Sequence, residues 1–373
     1  MIVGLGVYDA LMPGLRAVVT SRAPSDSPLL DFDLVDRDGH LLVIGTDQHR
    51  AFSWDPTTDQ WAEHRLDVPS REFPFVELSQ ISAAVVDGRI VVGGGGEHQD
   101  FAQWDLETGA VLEGADGGGV SWARAATLGG RTLFVIGGTG PAVEVQGPAH
   151  KEDAPDAGDL DGDEPGEYMD EDDHYWLVTE LECAGSVAAG TLWGRAVIAS
   201  IGVDGGVIVW DIKEECPIVE LDVPDGIDDG AFGYFALAAV EDRAFLVAAG
   251  ERVLAVCDVS DADAPVWADP VTVPGGDIVC LDAAVVGGRA VAATGGEDGM
   301  VYIWDVAERR ILGEPNSAHG SEFPGAIGEV STVRFTELRG RPVVISAGRD
   351  GTMRVWDLPA GGSNQPWNRP SQE

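Results

Sequence analysis

An acidic stretch in the first half of the chain comes nearest to a metal-binding loop. Asp159, Asp161 and Asp163 alternate along the chain, and three carboxylates at this spacing could converge on a hard cation such as calcium. Glu164 stands where such a loop needs glycine, Pro165 follows it, and the pattern predicts no flanking helix. We therefore expect a solvated acidic loop here, with a calcium site as the alternative.

Catalytic motifs are otherwise scarce. His49 and His98 fall in equivalent turns of two successive repeats, and with carboxylates they could form an active site at a channel mouth. The chain has no Walker loop, no G-x-S-x-G turn, no H-E-x-x-H motif and no Cys/His metal spacing. The expectation is a protein with no catalytic residue and no cofactor.

The charge balance restricts the class of partner. The chain has 64 acidic against 23 basic residues and a formal net charge of −41. Such a surface repels nucleic acid and anionic membranes, because phosphate binding depends on clustered Lys and Arg. The expected partner is another protein or a peptide. The start of the chain has no basic leader region and no run of 18 apolar residues occurs, which predicts a soluble cytoplasmic protein.

Seven repeats predict the architecture that must position these residues. In each, a Gly-Arg-like turn is followed 15 or 16 residues later by a Trp-Asp-like pair. The turns are Gly39-His40, Gly88-Arg89, Gly130-Arg131, Gly194-Arg195, Asp242-Arg243, Gly288-Arg289 and Gly340-Arg341. The pairs are Trp54-Asp55, Trp104-Asp105, Gln146-Gly147, Trp210-Asp211, Cys257-Asp258, Trp304-Asp305 and Trp356-Asp357. Repeats of this length built from short strands predict an all-β, seven-bladed β-propeller of four-stranded antiparallel blades over residues 1–358.

The sixth repeat shows the elements of one blade most clearly. Residues 280–286 and 289–294 read as two strands joined by Gly287-Gly288, which supplies the positive φ of a tight hairpin. A second turn at 296–299 leads to a third strand that ends in Trp304-Asp305, and a weak fourth strand follows.

Gly-Arg, five or six apolar residues, Gly-x-Asp-Gly and then Val-x-Val-Trp-Asp resembles the WD-repeat (WD40) family of β-propellers, over roughly residues 30–358. The chain looks like a divergent, bacterial-type member, because Gln146-Gly147 and Cys257 replace the Trp pair in two repeats. The resemblance implies an interaction platform, since such propellers mostly bind partners.

The resemblance also implies hydrogen-bonded structural tetrads of Ser or Thr, Asp, Trp and His. The matching positions are Ser200, Asp204 and Trp210 in blade four, Thr294, Asp298 and Trp304 in blade six, and His319, Ser346, Asp350 and Trp356 in blade seven. Buried indole and hydroxyl groups need partners, so we interpret these sets as structural and not as hydrolytic triads.

Both ends of the chain bear on ring closure. No apolar run follows Leu358, so blade seven lacks an outer strand, and residues 359–373 read as a flexible tail. An N-terminal strand at about residues 15–20 is expected to complete that blade and to remove two open sheet edges. Residues 2–8 are apolar enough to be the alternative strand.

An acidic insertion, residues 150–174, lengthens the third repeat. It holds twelve Asp or Glu against Lys151, so we expect it to be mobile and to connect the third and fourth strands of blade three. The same face would carry the arginines that follow the turns: Arg89, Arg131, Arg195, Arg243, Arg289 and Arg341. They are either ordinary soluble turn residues or a basic ring that attracts an acidic partner or the insertion itself.

Aromatic residues in the loops leading into the blades are the candidate partner contacts. They are Phe73, Phe75, Phe232, Tyr234 and Phe323. Either they anchor a partner, or they fold down onto the tops of the blades. The expected function is a non-catalytic protein–protein interaction scaffold. The alternatives are an enzyme with its site at the channel mouth and an acidic decoy that occupies a basic partner.

Overall fold

The structure is a computed structural model. It describes residues 16–69, 75–114, 119–138, 143–149, 176–178, 181–182, 186–224, 227, 231–320 and 328–358. Several predicted features lie outside these residues: Asp159, Asp161, Asp163, Phe73, Phe323, the whole acidic insertion 150–174, the alternative strand 2–8 and the tail 359–373. The described residues contain no helix, so none of them forms an apolar membrane-spanning helix.

The described chain forms seven antiparallel sheets, one for each blade, which confirms the predicted propeller. The strand β1 (Arg16–Arg22) precedes the first repeat. Blades one to three contain β2 (Asp31–Arg37), β3 (His40–Thr46), β4 (Ala51–Asp55), β5 (Gln60–His64), β6 (Gln80–Val86), β7 (Arg89–Gly95), β8 (Ala102–Asp105), β9 (Val111–Glu113), β10 (Val120–Leu128), β11 (Arg131–Gly138), β12 (Val143–Gln146) and β13 (Trp176–Val178).

Blades four to seven have the same plan, with some strands in two pieces. They contain β14 (Leu181–Glu182), β15 (Ala188–Leu192), β16 (Arg195–Gly202), β17 (Val207–Asp211), β18 (Cys216–Leu221), β19 (Tyr234–Val240), β20 (Arg243–Gly250), β21 (Val253–Asp258), β22 (Val266–Trp267), β23 (Val271–Thr272), β24 (Ile278–Val286), β25 (Arg289–Gly296), β26 (Met300–Asp305), β27 (Arg310–Ile311), β28 (Asn316–Ser317), β29 (Val330–Leu338), β30 (Arg341–Gly348) and β31 (Thr352–Asp357). In blade four the innermost strand is split, since β14 and β15 both pair with β16.

The Gly-Arg signature is the hairpin between the first and second strands. In blade two, Asp87 has a φ of 51° and Gly88 a φ of 77°. Val86 pairs directly with Arg89 across this two-residue turn. Positive φ at both central residues is the type I′ geometry, which matches the right-handed twist of the flanking strands. Glycine is favoured at the second position because it adopts this conformation without steric cost.

An N-terminal strand closes the ring, as predicted. β1 pairs antiparallel with β31, from Arg16 opposite Asp357 to Arg22 opposite Thr352, and so becomes the outer strand of blade seven. The observed bounds, Arg16–Arg22, extend two residues beyond the predicted segment 15–20. Pairing the two ends of the chain in one sheet covers the edge that each would otherwise expose.

The apolar core lies between neighbouring blades. One cluster, for example, joins Phe245 of blade five to Ala292 and Trp304 of blade six. Cys257, which replaces a Trp of the repeat, is fully buried in a similar cluster. Burial raises the pKa of its thiol to about 12, so it behaves as a small apolar side chain.

The strand order defines two faces of the propeller. The upper face carries the loops that lead into each first strand and the turns between second and third strands. The lower face carries the other turns, including the Gly-Arg hairpins. β12 pairs with β13, with Val143 opposite Val178. β12 and β13 are therefore the third and fourth strands of blade three, and β12 ends and β13 begins on the lower face.

Candidate functional site

The predicted tetrad of blade seven forms one hydrogen-bonded chain. His319 Nε2 lies 2.9 Å from Ser346 Oγ, and His319 Nδ1 lies 3.0 Å from Asp350 Oδ1. The indole N–H of Trp356 donates to Ser346 Oγ at 2.9 Å. All four side chains are buried, and burial lowers the pKa of His319. Although burial opposes it, the hydrogen bonds from His319 and Thr352 lower the pKa of Asp350 to about 2. Ser346 has no exposed surface, so a substrate could not reach its hydroxyl group in this structure. The hydroxyl instead links His319 to Trp356.

Blade six builds the same contact without a histidine. The indole N–H of Trp304 donates to Thr294 Oγ1 at 3.0 Å. Asp298 accepts the backbone N–H of Gly276 at 2.9 Å and that of Met300 at 3.0 Å. In blade seven the backbone N–H of Gly320 likewise donates to Asp350 at 3.2 Å, so blade six keeps this amide contact without the histidine.

Blade four differs again. Ser200 and Trp210 are buried, whereas Asp204 is exposed in its turn. The three predicted residues therefore do not share one buried site.

Four of the six predicted arginines of the lower face are paired with carboxylates. Val197 lies opposite Asp211 in the sheet, so Arg195, two residues earlier, lies diagonally beside that aspartate. The same register recurs because the repeat keeps 15 or 16 residues between the turn Arg and the Trp-Asp carboxylate. The N–O distances are 3.6 Å for Arg89–Asp105, 2.7 Å for Arg195–Asp211, 2.8 Å for Arg243–Asp258 and 3.8 Å for Arg289–Asp305.

This pairing corrects the idea of a basic ring. The four guanidinium groups are each neutralised within their own blade, and Arg131 and Arg341 begin β11 and β30 at the corresponding position. Burial alone would raise the pKa of Asp211, but hydrogen bonds from Glu214 N–H and Arg195 lower it overall. At these four positions the lower face therefore presents ion pairs and not unpaired cations.

The aromatic residues of the leading loops separate into buried and exposed ones. Phe232 has no exposed surface and stacks on Trp267, with 6.2 Å between ring centroids. Its interpretation as a surface anchor is wrong, because it fills a blade core as the folded-down alternative proposed. Tyr234 is half-buried at the channel mouth. Phe75 is 44% exposed.

The loop that carries Phe75 is held on both sides. The ring of His49 lies 3.0 Å from the carbonyl oxygen of Val76, and Leu78 N–H donates to the Gln48 carbonyl at 2.6 Å. On the other side, Glu77 N–H donates to Gln99 Oε1 at 2.9 Å.

His98 borders the same loop from blade two. Its backbone N–H donates to Glu77 Oε2 at 3.0 Å. The turns that carry His49 and His98 thus flank residues 76–78. Each histidine residue makes a hydrogen bond to the loop that leads into blade two.

The upper end of the central channel forms a cavity of about 270 Å³. Every blade contributes a residue at or near the start of its first strand: Asp31, Gln80, Ser121, Ser186, Tyr234, Cys280 and Glu329. Thr332 and Arg334 of β29 also line it. The cavity therefore depends on all seven blades.

Buried carboxylates join the first strands around the channel. Asp31 accepts Ile81 N–H at 3.1 Å and the Thr332 hydroxyl at 2.7 Å, which links blade one to blades two and seven. Asp33 accepts Ala83 N–H at 3.1 Å. Burial raises the pKa of Asp31 to about 6, against the charge of Arg334, and burial raises that of Asp33 as well.

Sequence reasoning missed these channel residues. The available signal was a set of charged residues in otherwise apolar first strands, as in Asp31-Phe32-Asp33, Arg124, Asp282 and Arg334. In the described part of the chain, no three His, Cys, Asp or Glu side chains come close enough together to hold a metal ion.

The sequence has no match among protein-family models or curated proteins. The geometry of the propeller is therefore the basis for the functional argument.

Proposed function

We propose that this protein is a WD-type repeat propeller that serves as a non-catalytic interaction scaffold and binds a partner protein or peptide on its upper face. The observation that carries the proposal is Phe75, whose side chain is 44% exposed directly before residues 76–78, while Val68, 41% exposed, lies earlier in the same loop. Both belong to the loop leading into blade two, whose end is fixed between two turns. Apolar side chains on a rigid scaffold are typical interface anchors.

Rigidity favours binding by this loop. Hydrogen bonds from the turns of blades one and two already order residues 76–78. A partner therefore does not have to supply the free energy of ordering this segment, which is a main cost of association.

The charges around Val68 and Phe75 indicate the chemistry of the partner. Asp67, which directly precedes Val68, is exposed, and so is Glu97 in the turn that carries His98. The whole chain has a net charge of −41. An apolar contact bordered by Lys or Arg would complement this surface, and long-range attraction would raise the association rate.

Membership of the WD-repeat family is part of the proposal. It is supported by the type I′ Gly-Arg turns and by the hydrogen bonds among His319, Ser346, Asp350 and Trp356. A soluble, cytoplasmic location would suit such a scaffold.

The test compares two surface variants in capture experiments with tagged full-length protein from the native host. Val68→Ser/Phe75→Ala should lose the captured partner while the melting temperature stays within a few degrees. Val266→Ser is the matched control, because Val266 is 63% exposed on an outer strand of blade five. Equal capture by both variants would contradict the proposal. Capture that survives the double substitution but is lost in high salt would favour the acidic decoy instead.

A further inference from the structure

The channel cavity contains a buried guanidinium group with few partners. Arg334 is 5% exposed and lines the cavity from β29. Its Nη1 donates to the Val333 carbonyl at 2.9 Å, but its Nε has no hydrogen-bond partner among the described residues. A guanidinium group carries five N–H donors, and leaving buried charged donors unsatisfied is costly.

A second buried polar group belongs to another residue that lines the cavity. The pairing of β29 with β30 shifts between Val330 and Thr332, so Ser331 is the extra residue of a β-bulge. Bulges often redirect a side chain beside a functional site. Ser331 lines the cavity, and its buried Oγ also lacks a partner in the part of the chain that the structure describes.

We propose that the upper cavity of the channel binds a small carboxylate, which accepts hydrogen bonds from the guanidinium of Arg334 and the hydroxyl of Ser331. A guanidinium group can only donate, and a hydroxyl group can donate as well, so one acceptor can serve both. A planar carboxylate matches the guanidinium fork. This inference does not depend on the proposed scaffold function.

The charges around the channel disfavour a ligand with two negative charges more than one with a single negative charge. The carboxylates of Asp31, Asp33 and Asp282 accompany the guanidinium groups of Arg124 and Arg334. Glu329 and Arg349 also line the cavity and form an ion pair with each other at 3.1 Å. A doubly charged phosphate would meet more repulsion from these three acids than a carboxylate would. The volume of about 270 Å³ also limits the ligand to a small molecule.

Binding should be coupled to proton uptake by Asp31. The groups that face Asp31 are Arg334 and Thr332 from β29, Asp33 on its own strand, Ile81 N–H from β6, and the more distant Arg124 and Cys280. A bound anion offsets the charge of Arg334, which otherwise favours ionised Asp31. Protonated Asp31 therefore favours the ligand, and affinity should rise as the pH falls from about 8 to about 6.

Titration calorimetry on the full-length protein tests the proposal, with acetate, lactate and benzoate as probes and their amides as uncharged controls. At least one carboxylate should bind at least about tenfold more tightly than its amide, as expected for charged hydrogen bonds. Arg334→Gln should weaken binding at least about tenfold and Ser331→Ala about threefold, the size of a lost neutral hydrogen bond. Arg195→Gln is the control, because it removes the same charge from the lower face.

Three outcomes would overturn the proposal: no binding by any probe, equal binding of acids and amides, or unchanged binding by Arg334→Gln. If Arg334→Gln does not fold, Ser331→Ala and the buffer dependence of the binding heat decide. The site would then be rejected if Ser331→Ala bound the probe as tightly as the wild-type protein and binding took up no proton. A failed carboxylate site leaves the capture experiment with Val68 and Phe75 unaffected, so the two proposals are distinguished.

Discussion

Arg124 of blade three forms an ion pair with Asp282 of blade six, with 3.0 Å between Nη1 and Oδ1. The two residues are 158 positions apart in the sequence. The other oxygen of Asp282 accepts Phe335 N–H of blade seven at 2.8 Å. One carboxylate therefore links three blades, and the pair makes a direct connection between non-adjacent blades.

Breaking this pair should destabilise the ring. Asp282 is buried while Arg124 is partly exposed, so we expect Arg124→Gln to lower the free energy of unfolding by about 2 kcal/mol, less than for a fully buried pair. The double variant Arg124→Gln/Asp282→Asn should recover part of the loss, because it leaves no unpaired charge. Urea unfolding of the single and double variants measures both effects. Strictly additive losses would show that the two groups do not interact.

Removing the closing strand should affect the whole propeller. Deletion of residues 1–22 removes β1 and leaves the edge of β31 open. The protein should therefore unfold at a lower denaturant concentration, or aggregate. Deletion of residues 1–15 alone is the control and should have a much smaller effect. Melting temperature and light scattering measure the difference. An unchanged melting temperature after the longer deletion would show that β1 does not hold the ring closed.

The raised pKa of Asp31 should produce a measurable pH dependence of stability. Its pKa is raised from 3.8 when unfolded to about 6 when folded, so the folded state binds the proton more tightly. The associated stability is fully present below about pH 3.8 and is lost as the pH rises through about 6. Wild-type protein should therefore gain stability relative to Asp31→Asn as the pH falls from about 7 to about 4. Parallel stability curves for the two proteins would contradict the assignment.

The tetrad of blade seven should be sensitive to loss of its central hydroxyl. Ser346→Ala leaves the buried Trp356 indole and the His319 ring without their shared partner, so we expect a loss of about 1–3 kcal/mol. Ser82→Ala is the control, since the buried Ser82 hydroxyl donates at 3.2 Å to the Gly93 carbonyl. Thermal unfolding should show the larger loss for Ser346→Ala. Equal losses would mean that the tetrad adds nothing beyond one ordinary hydrogen bond.

A glycine supplies an independent probe of the same tetrad. A Cβ atom at Gly348 would lie 2.3 Å from the His319 ring, so Gly348→Ala should displace the histidine. The buried, hydrogen-bonded imidazole N–H of His319 should exchange slowly in the wild-type protein, and loss of its NMR signal would report that displacement. A retained signal would show that the blade can shift to accommodate the methyl group.

Local patterns determined the ring and its turns. A two-residue turn that needs positive φ favours residues such as Asp87-Gly88. A strand that is buried on both faces favours a run of apolar residues. Each repeat could therefore be recognised from short segments of the sequence. Ring closure followed because blade seven lacked an outer strand and the N-terminus had a spare one. The tetrad of His319 and Ser346 was also predictable, since its members occupy fixed places in the repeat.

Other features depended on the assembled ring. Phe232 and Phe75 occupy similar leading loops, yet one is buried and the other exposed, because Phe232 packs against Trp267. The pairing of Arg195 with Asp211 required the register of the sheet. The contact between Arg124 and Asp282 exists only after the blades have closed, since no short-range pattern relates residues that meet across a channel. Sequence periodicity thus specified backbone hydrogen bonding, whereas ring closure decided which side chains met in the channel and which remained exposed.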